Sequence, residues 1–457
     1  MKYLYIDPPS KIIEYSNNAY TIYCLSPDVL SERQNKGYDR INEVGVSILT
    51  LVDGTNTYEK IVSALMEQYD DTYTSVSPKV ETFFENLKKH GYYIKEQTTP
   101  ILREISKIKH NNIYPTVVSL EITNRCNIKC RHCYGSYENT NERDITIDSA
   151  RFLFEASVRM GVEIIELTGG DPSVHSNCSE IIESAILAGI KKIMLLTNGV
   201  SIGDELYNTI VNYKDRVYLQ IDLHSLNEDY YDWFTNSRGN LSKVKSNIVN
   251  LINSGVRVRV CSIITPGNVD EFYKIGEWAI KHNAIEFAPS AVLALGRANN
   301  EEDQKELFLH DNSTLKKFIE EQKRFSDKYP GFIKGVLEVE ELTRKNCGAL
   351  TSNIGIDSEG NIKLCSLDTG EYFDLRLGNA FENDIKKLYD ENKEFFSKLM
   401  NLEPPMHNSA ECENCEKKYF CSNCILRGLI GAEQVPDCKW RNKLDTTMRD
   451  YFGIKIT

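Results

Sequence analysis

The 457-residue chain has no run approaching the roughly 18 uninterrupted apolar residues of a membrane-spanning helix. Its opening stretch, MKYLYIDPPSKIIEYSNN, lacks the apolar core of a secretory signal. These two absences predict a soluble, cytoplasmic protein with no membrane partner. Positive charge is also short: 54 Lys and Arg stand against 66 Asp and Glu, a formal net charge of −12. That balance excludes a general affinity for nucleic acid and leaves room only for a local basic groove. One further shortage is local. The stretch EITNRCNIKCRHCY, residues 121–134, sets cysteines at 126, 130 and 133 and supplies no fourth nearby.

Cysteine itself is plentiful, at 13 residues. In a reducing compartment these are thiols, and clustered thiols point to metal rather than to disulfides. Three lie at 126–133 and seven between 347 and 438, while Cys24, Cys178 and Cys261 stand alone. The default for the lone ones is a small buried hydrophobe.

Residues 1–100 read as a small α+β module. IIEYSNNAYTIYCL predicts strands; INEVGVSILTLVDG, TYEKIVSALMEQY and VSPKVETFFENLKKHGYYI carry apolar residues at helical spacing, closed by Gly54 and Gly91. This is the helical order of a winged-helix unit. Through LTLVDG, TYEKIV and FFENLKKHGYYI it resembles the RiPP recognition element, a family related to the chaperone of pyrroloquinoline quinone synthesis. The resemblance implies capture of a precursor's leader peptide as an added strand. A DNA-binding winged helix and a structural cap are the alternatives. Residues 101–115 read as a linker.

Strand and helix patterns then alternate to about residue 290. VVSLEIT at 117, EIIELT at 163, KKIMLLTN at 191, RVYLQIDLH at 216, VRVRVCSII at 256 and AIEFAP at 284 are the strands. Six βα units imply a parallel sheet with right-handed crossovers, hence a partial barrel. The strands alternate, with Val217, Leu219, Ile221 and Leu223 opposite Tyr218, Gln220, Asp222 and His224, and Val256, Val258 and Val260 opposite Arg257, Arg259 and Cys261. Helices must cover the apolar face, so the polar face predicts a ligand-holding lumen with chemistry at the C-terminal ends of the strands.

The triplet follows the first of these strands. Structural zinc sites take four ligands, whereas three thiolates bind three irons of a 4Fe-4S cube and leave the fourth open to a non-protein ligand. The C-x3-C-x2-C loop at this place resembles the hallmark of the radical S-adenosylmethionine superfamily, built on a partial (β/α)6 barrel. The resemblance implies a 4Fe-4S cluster on Cys126, Cys130 and Cys133, S-adenosylmethionine on its open iron, and a 5′-deoxyadenosyl radical as the hydrogen-abstracting agent. ELTGGDP at 166–172 resembles the family's Gly-Gly-Glu motif, with Asp171 one methylene shorter than the usual acid. Gly169, Gly170 and Asp171 are therefore expected at the cofactor, Asp171 against the methionine ammonium. Asp222 stands where the family places ribose contacts, and Arg238 and Arg259 are candidates for the methionine carboxylate. LLTNG after the third strand and GRA at 296–298 are supporting echoes.

The C-terminal cysteines are Cys347, Cys365, then Cys412, Cys415, Cys421 and Cys424, then Cys438. Their order resembles the SPASM domain, a seven-cysteine extension of radical enzymes that mature peptides and sulfatases. The resemblance implies an inner auxiliary 4Fe-4S cluster on Cys347, Cys365 and Cys424 and an outer one on Cys412, Cys415, Cys421 and Cys438. The x2 spacing before Cys424 departs from the usual x3, and residues 348–364 contain no eighth cysteine. NIGIDSEGNIKLC reads as a hairpin turning at Gly360. A C-x2-C-x5-C-x2-C run is also compatible with a single zinc ion.

The expected layout is a recognition element over 1–100, a linker over 101–115, a radical barrel over 116–310, a helical bridge over 311–344 and a SPASM domain over 345–457. This order resembles that of peptide maturases, above all sactisynthases and ranthipeptide synthases. It implies a Cys-containing precursor as partner, Cys thioether crosslinks as product, and an electron donor such as flavodoxin or ferredoxin. Carbon-carbon or carbon-oxygen crosslinking and epimerisation are the alternatives in chemistry. A peptide-binding chaperone stapled by clusters is the alternative outside catalysis.

Overall fold

The computed structural model describes residues 1–7, 10–14, 20–24, 39–89, 92–103, 105–109, 113–137, 143–300, 304–309, 312–333, 346–370 and 374–453. The chain divides into two compact units, Met1–Asn112 and Ile113–Thr457.

In the first unit, β1 (Tyr3–Asp7) pairs antiparallel with β5 (Tyr93–Gln97), and a second sheet takes the order β4-β3-β2-β6. Here β2 is Ser10–Glu14, β3 Tyr20–Cys24, β4 Asp39–Ile41 and β6 Ser106–Lys109. Three helices, Glu43–Leu51, Tyr58–Tyr69 and Tyr73–Lys89, occupy the stretches whose apolar residues recur at helical spacing. Asn42 caps the first by accepting from the Gly45 amide at 2.9 Å, and Thr57 caps the second. Ile12, Ile22, Leu49, Ile61 and Val62 are fully buried. Residues 101–115 are not simply a linker, because β6 runs parallel to β2 inside them. The pairing partner of Lys107 is Ile12, a long-range choice that short-range polarity could not announce. Gly91 and the side chain of Cys24 lie outside the described residues.

In the second unit, six parallel strands lie side by side in chain order: β7 (Val117–Thr123), β8 (Ile164–Gly169), β9 (Lys192–Thr197), β10 (Val217–Asp222), β11 (Arg257–Ile264) and β12 (Glu286–Ala291). Helices Ile147–Met160, Cys178–Ala188, Asp204–Asn212, Leu241–Asn253 and Phe272–Lys281 separate them. Val217, Leu219, Ile221, Leu223, Val258 and Val260 are fully buried in one core with those helices, each worth about 1.5–3 kcal/mol. Tyr218, Gln220, Asp222, Arg259 and Cys261 on the opposite face stay half-buried. Cys178 is packed in the core. A helix over Asn312–Lys328 occupies part of the stretch read as a bridge, whose residues 334–344 lie outside the described set.

The hairpin forms, β13 (Asn353–Ile356) against β14 (Ile362–Lys363), with Gly360 at φ +88° in its turn. It is not a detached appendage. β13 lies parallel to β7, so the barrel sheet reads β12-β11-β10-β9-β8-β7-β13-β14. Among the described residues no helix is long and apolar enough to cross a membrane.

Candidate active site

The cysteine loop is held from three directions. At its start, β8 meets β7 backbone to backbone: the Gly170 amide donates to the Thr123 carbonyl at 2.9 Å and the Asp171 amide to the Arg125 carbonyl at 2.7 Å. A Cβ at Gly169, whose φ is +128°, would stand 2.0 Å from the Thr123 oxygen, and one at Gly170 1.9 Å from the Arg125 oxygen. Both positions therefore require glycine. In the middle, the Lys129 and Arg131 amides donate at 3.3 and 3.0 Å to the Thr235 and Phe234 carbonyls, which end the helix Glu228–Thr235 and have no later turn to bond. At the far end, Arg297 donates from Nε to the Cys130 carbonyl at 2.8 Å and from its amide to the Cys133 carbonyl at 3.0 Å. GRA is thus a clasp from the last barrel strand onto the loop, a larger role than its sequence signal indicated.

Burial pushes the Cys126 thiol up to about 12, with Asp171 and Cys133 adding to the effect, and lifts Cys130 well above its ordinary range, with Cys133, Cys126 and Asp222 adding. The thiols thus sense one another, although among the described residues no three His, Cys, Asp or Glu side chains converge on one point as a single ion requires. A bound metal would supply the positive charge that ionises these thiols, since a coordinated thiol gives up its proton. The donor set, three thiols with a guanidinium behind them, fits an iron–sulfur cluster. His132, between two of the cysteines, stacks on Phe234 at 4.4 Å and meets His224 edge-on at 4.9 Å. Burial drives it down to about 3, so its ring is a neutral packing group.

The remaining predicted cofactor residues fall into different situations. Asp222 is opposite Cys261 in the strand register and interacts with its thiol; burial, then Asp171, raises Asp222 to about 7. Arg259 pairs with Glu286 on the neighbouring strand at 3.4 Å, which engages the guanidinium expected for a carboxylate ligand. Arg238 is exposed in the loop between two helices. Asp171 is fully buried and its carboxylate is occupied. It accepts from the Ser173 amide at 2.9 Å and hydroxyl at 2.5 Å, from Thr197 Oγ1 at 2.9 Å and from the Asn198 amide at 2.7 Å.

The seven C-terminal thiols sort into two groups. Cys347 and Cys365 both lie within electrostatic reach of Cys424, and Cys421 within reach of Cys412, Cys415 and Cys438. Cys424 joins the first group despite its short spacing, because it caps the helix Ile425–Gln434 and its Sγ accepts from the Arg427 amide at 3.5 Å. Cys347 is pinned by Asn346, which donates to the Leu399 and Leu402 carbonyls. Gly431 is needed too: a Cβ there would stand 2.3 Å from Cys421 Sγ.

Sequence reasoning missed the join between the two cysteine regions. Glu121 on β7 and Lys363 on β14 form a buried ion pair, and Tyr137 donates to Glu121 at 2.5 Å. Burial pulls Glu121 up while Lys363 opposes it. Tyr134 lies within electrostatic reach of both Cys133 and Cys365. A cavity of about 1270 Å³ opens beside this join, bounded by Glu121, Tyr137, Arg143, Lys363, Asp368 and Asn379. A glutamate in the otherwise uncharged VVSLEIT was the available hint.

Residues 120–279 match the radical SAM superfamily, and residues 29–92 match the family described as coenzyme PQQ synthesis protein D (PqqD). The chain therefore carries a radical SAM domain behind a PqqD-type recognition element, with the cluster and S-adenosylmethionine that such a domain uses. Among its relatives, the antilisterial bacteriocin subtilosin biosynthesis protein AlbA of Bacillus subtilis is 26% identical over 402 residues, 86% of this chain and 85% of that one. The mycofactocin maturase MftC of Mycolicibacterium smegmatis is 26% identical over 188 residues, 40% of this chain and 47% of its own. Streptococcus suis SuiB bound to S-adenosylmethionine shares the fold at 14% identity, with a TM-score of 0.59 over 95% of this chain and all of that one.

Proposed function

We propose that the protein is a radical SAM peptide maturase that joins a cysteine sulfur of a ribosomally made precursor to one of its carbons. The observation that carries this reading is the sorting of the C-terminal thiols into a trio and a quartet within the same compact unit as the triplet loop. Such a set matches two auxiliary clusters better than one zinc ion. When bound, the cluster and S-adenosylmethionine supply hydrogen-atom abstraction from an unactivated C–H bond. The protein's share is position: the clasped loop fixes the cofactor at the barrel rim, and the half-buried face of β10 and β11 receives the reacting segment.

Forming a thioether replaces one C–H and one S–H by a C–S bond. One hydrogen atom leaves with the adenosyl group; a proton and an electron leave separately, and clusters held by the C-terminal cysteines would take up that electron before a redox protein such as flavodoxin or ferredoxin. The trio has no eighth cysteine beside it, which makes room for the precursor's own thiolate. Asp368, whose charge acts on Cys365, is held by the Leu364 and Gly370 amides at 3.0 and 2.9 Å. The PqqD-type element supplies leader binding, which SuiB bound to its precursor peptide SuiA makes a natural comparison. The protein is expected to work in the cytoplasm.

Mass spectrometry of a cysteine-containing precursor after anaerobic reaction tests the proposal. A product two hydrogens lighter with an alkylation-resistant cysteine is expected. A lighter product whose cysteines all alkylate overturns thioether formation in favour of carbon-carbon crosslinking.

A further inference from the structure

In the motif that follows β8, the acid has its carboxylate engaged by the scaffold itself. Its backbone is fixed by the Asp171 amide on the Arg125 carbonyl. Its carboxylate folds back onto Ser173 and across to the end of β9, where Thr197 Oγ1 and the Asn198 amide donate to it. Those donors occupy both oxygens in a fully buried setting, where a carboxylate must be satisfied by fixed partners. An aspartate reaches this arrangement because its short side chain bonds the backbone two residues on.

The consequence appears at Asn198. With its amide held by Asp171, its side-chain Nδ2 faces the cysteine loop, 2.7 Å from Asn127 Oδ1 and 3.8 Å from Cys126 Sγ. Its Oδ1 accepts from the Val200 amide at 2.9 Å, which fixes which end of the amide carries the hydrogens toward sulfur. The third strand thus presents an N–H donor to the first thiol of the triplet, and Asp171 holds that donor in place.

We propose that Asp171 is a positioning residue that acts through Asn198, whose amide hydrogen bond to Cys126 sulfur raises the reduction potential of the triplet's cluster; this rests on the reading of Cys126 as a cluster ligand. A cluster becomes more negative on reduction, so a donor on a ligand sulfur stabilises the reduced form. Hydrogen bonds to sulfur are one of the protein's levers on that potential. Reduction is the step that must precede cofactor cleavage, so the bond acts on the readiness of the enzyme and not on substrate choice.

The test is a redox titration of the full-length, cluster-loaded protein, following the paramagnetic signal that disappears in the C126A/C130A/C133A variant. Absence of any such signal sinks the ligand reading itself. With the signal and iron content retained, Asn198→Leu should shift its midpoint to a more negative value, and Asn198→His, which keeps an N–H, should recover part of the shift. An unchanged midpoint in Asn198→Leu overturns the proposal. Asp171→Asn should weaken S-adenosylmethionine binding by less than about fivefold, whereas loss of a direct ammonium contact would exceed that. A larger loss with iron content intact makes Asp171 a ligand of the cofactor and overturns its positioning role. If Asp171→Asn loses iron, the Asn198 pair alone decides.

Discussion

The triplet loop and the C-terminal cysteines solve one problem in two ways. The triplet is compact in sequence and is held from outside, by the ends of β8, of the helix Glu228–Thr235 and of the turn after β12. The C-terminal groups are scattered in sequence and held from within, by tight turns in which the Cys415 amide bonds the Cys412 carbonyl and the Cys424 amide the Cys421 carbonyl. A loop clamped by a scaffold can lose its thiols and keep its shape. A region whose cysteines are drawn from separate stretches of sequence depends more on what they bind.

The largest effect should come from the clamped side. Replacing Cys126, Cys130 and Cys133 together by alanine is expected to abolish S-adenosylmethionine cleavage, measured as 5′-deoxyadenosine release, with circular dichroism and Tm close to the parent. Turnover in that variant would contradict the assignment. Cys424→Ala sharpens the contrast from the other side: about four of roughly twelve irons should be lost, with the triplet's cluster retained. A parent protein with about four irons and one zinc would instead make the C-terminal region a zinc module.

Deleting residues 1–112 should abolish modification of a leader-bearing precursor while slow cofactor cleavage persists. The cut belongs at Asn112 and not at 100, because β6 is part of the first unit. Undiminished modification would remove the leader-binding role.

Lys363→Met leaves Glu121 buried without its partner and should cost about 3–5 kcal/mol of stability in denaturant unfolding. Combining it with Glu121→Gln should restore much of that; no recovery would mean that packing and not charge is at stake. The smallest effect concerns His175, which burial holds below its ordinary range. The unfolded chain binds this proton more readily, so stability falls as pH drops through the ordinary histidine range near 6.5. His175→Gln should lessen that slope by one histidine's share, His132 and His224 keeping the rest.

Much of the site was legible because its parts are local. The triplet, the glycine pair and the alternation of β10 and β11 are patterns within a few residues: periodicity separates the two strand faces, and the resemblance of the short motifs implies the loop and the close approach. Other parts depend on distance. Glu121 and Lys363 meet across 242 residues, and nothing in NIKLC marks Lys363 as buried. The partners of Asp171, Thr197 and Asn198, lie one strand away, so its motif announced the acid and not the donors that hold it. The partner of Arg259, Glu286, lies on another strand, which its own stretch of sequence does not announce.

The seam between β7 and β13 also sets a timetable. Thr116 donates to the Ser352 carbonyl at 3.0 Å across 236 residues, and β13 covers the edge of the first barrel strand from there. At about 5–20 residues per second, a ribosome needs roughly 12–47 seconds to deliver that cover after β7 has emerged. During that interval the nascent barrel presents an unpaired parallel edge, the feature by which sheets find wrong partners. Yield of this protein in a heterologous host should therefore respond to translation speed and chaperone supply between those two strands, whatever the supply of iron.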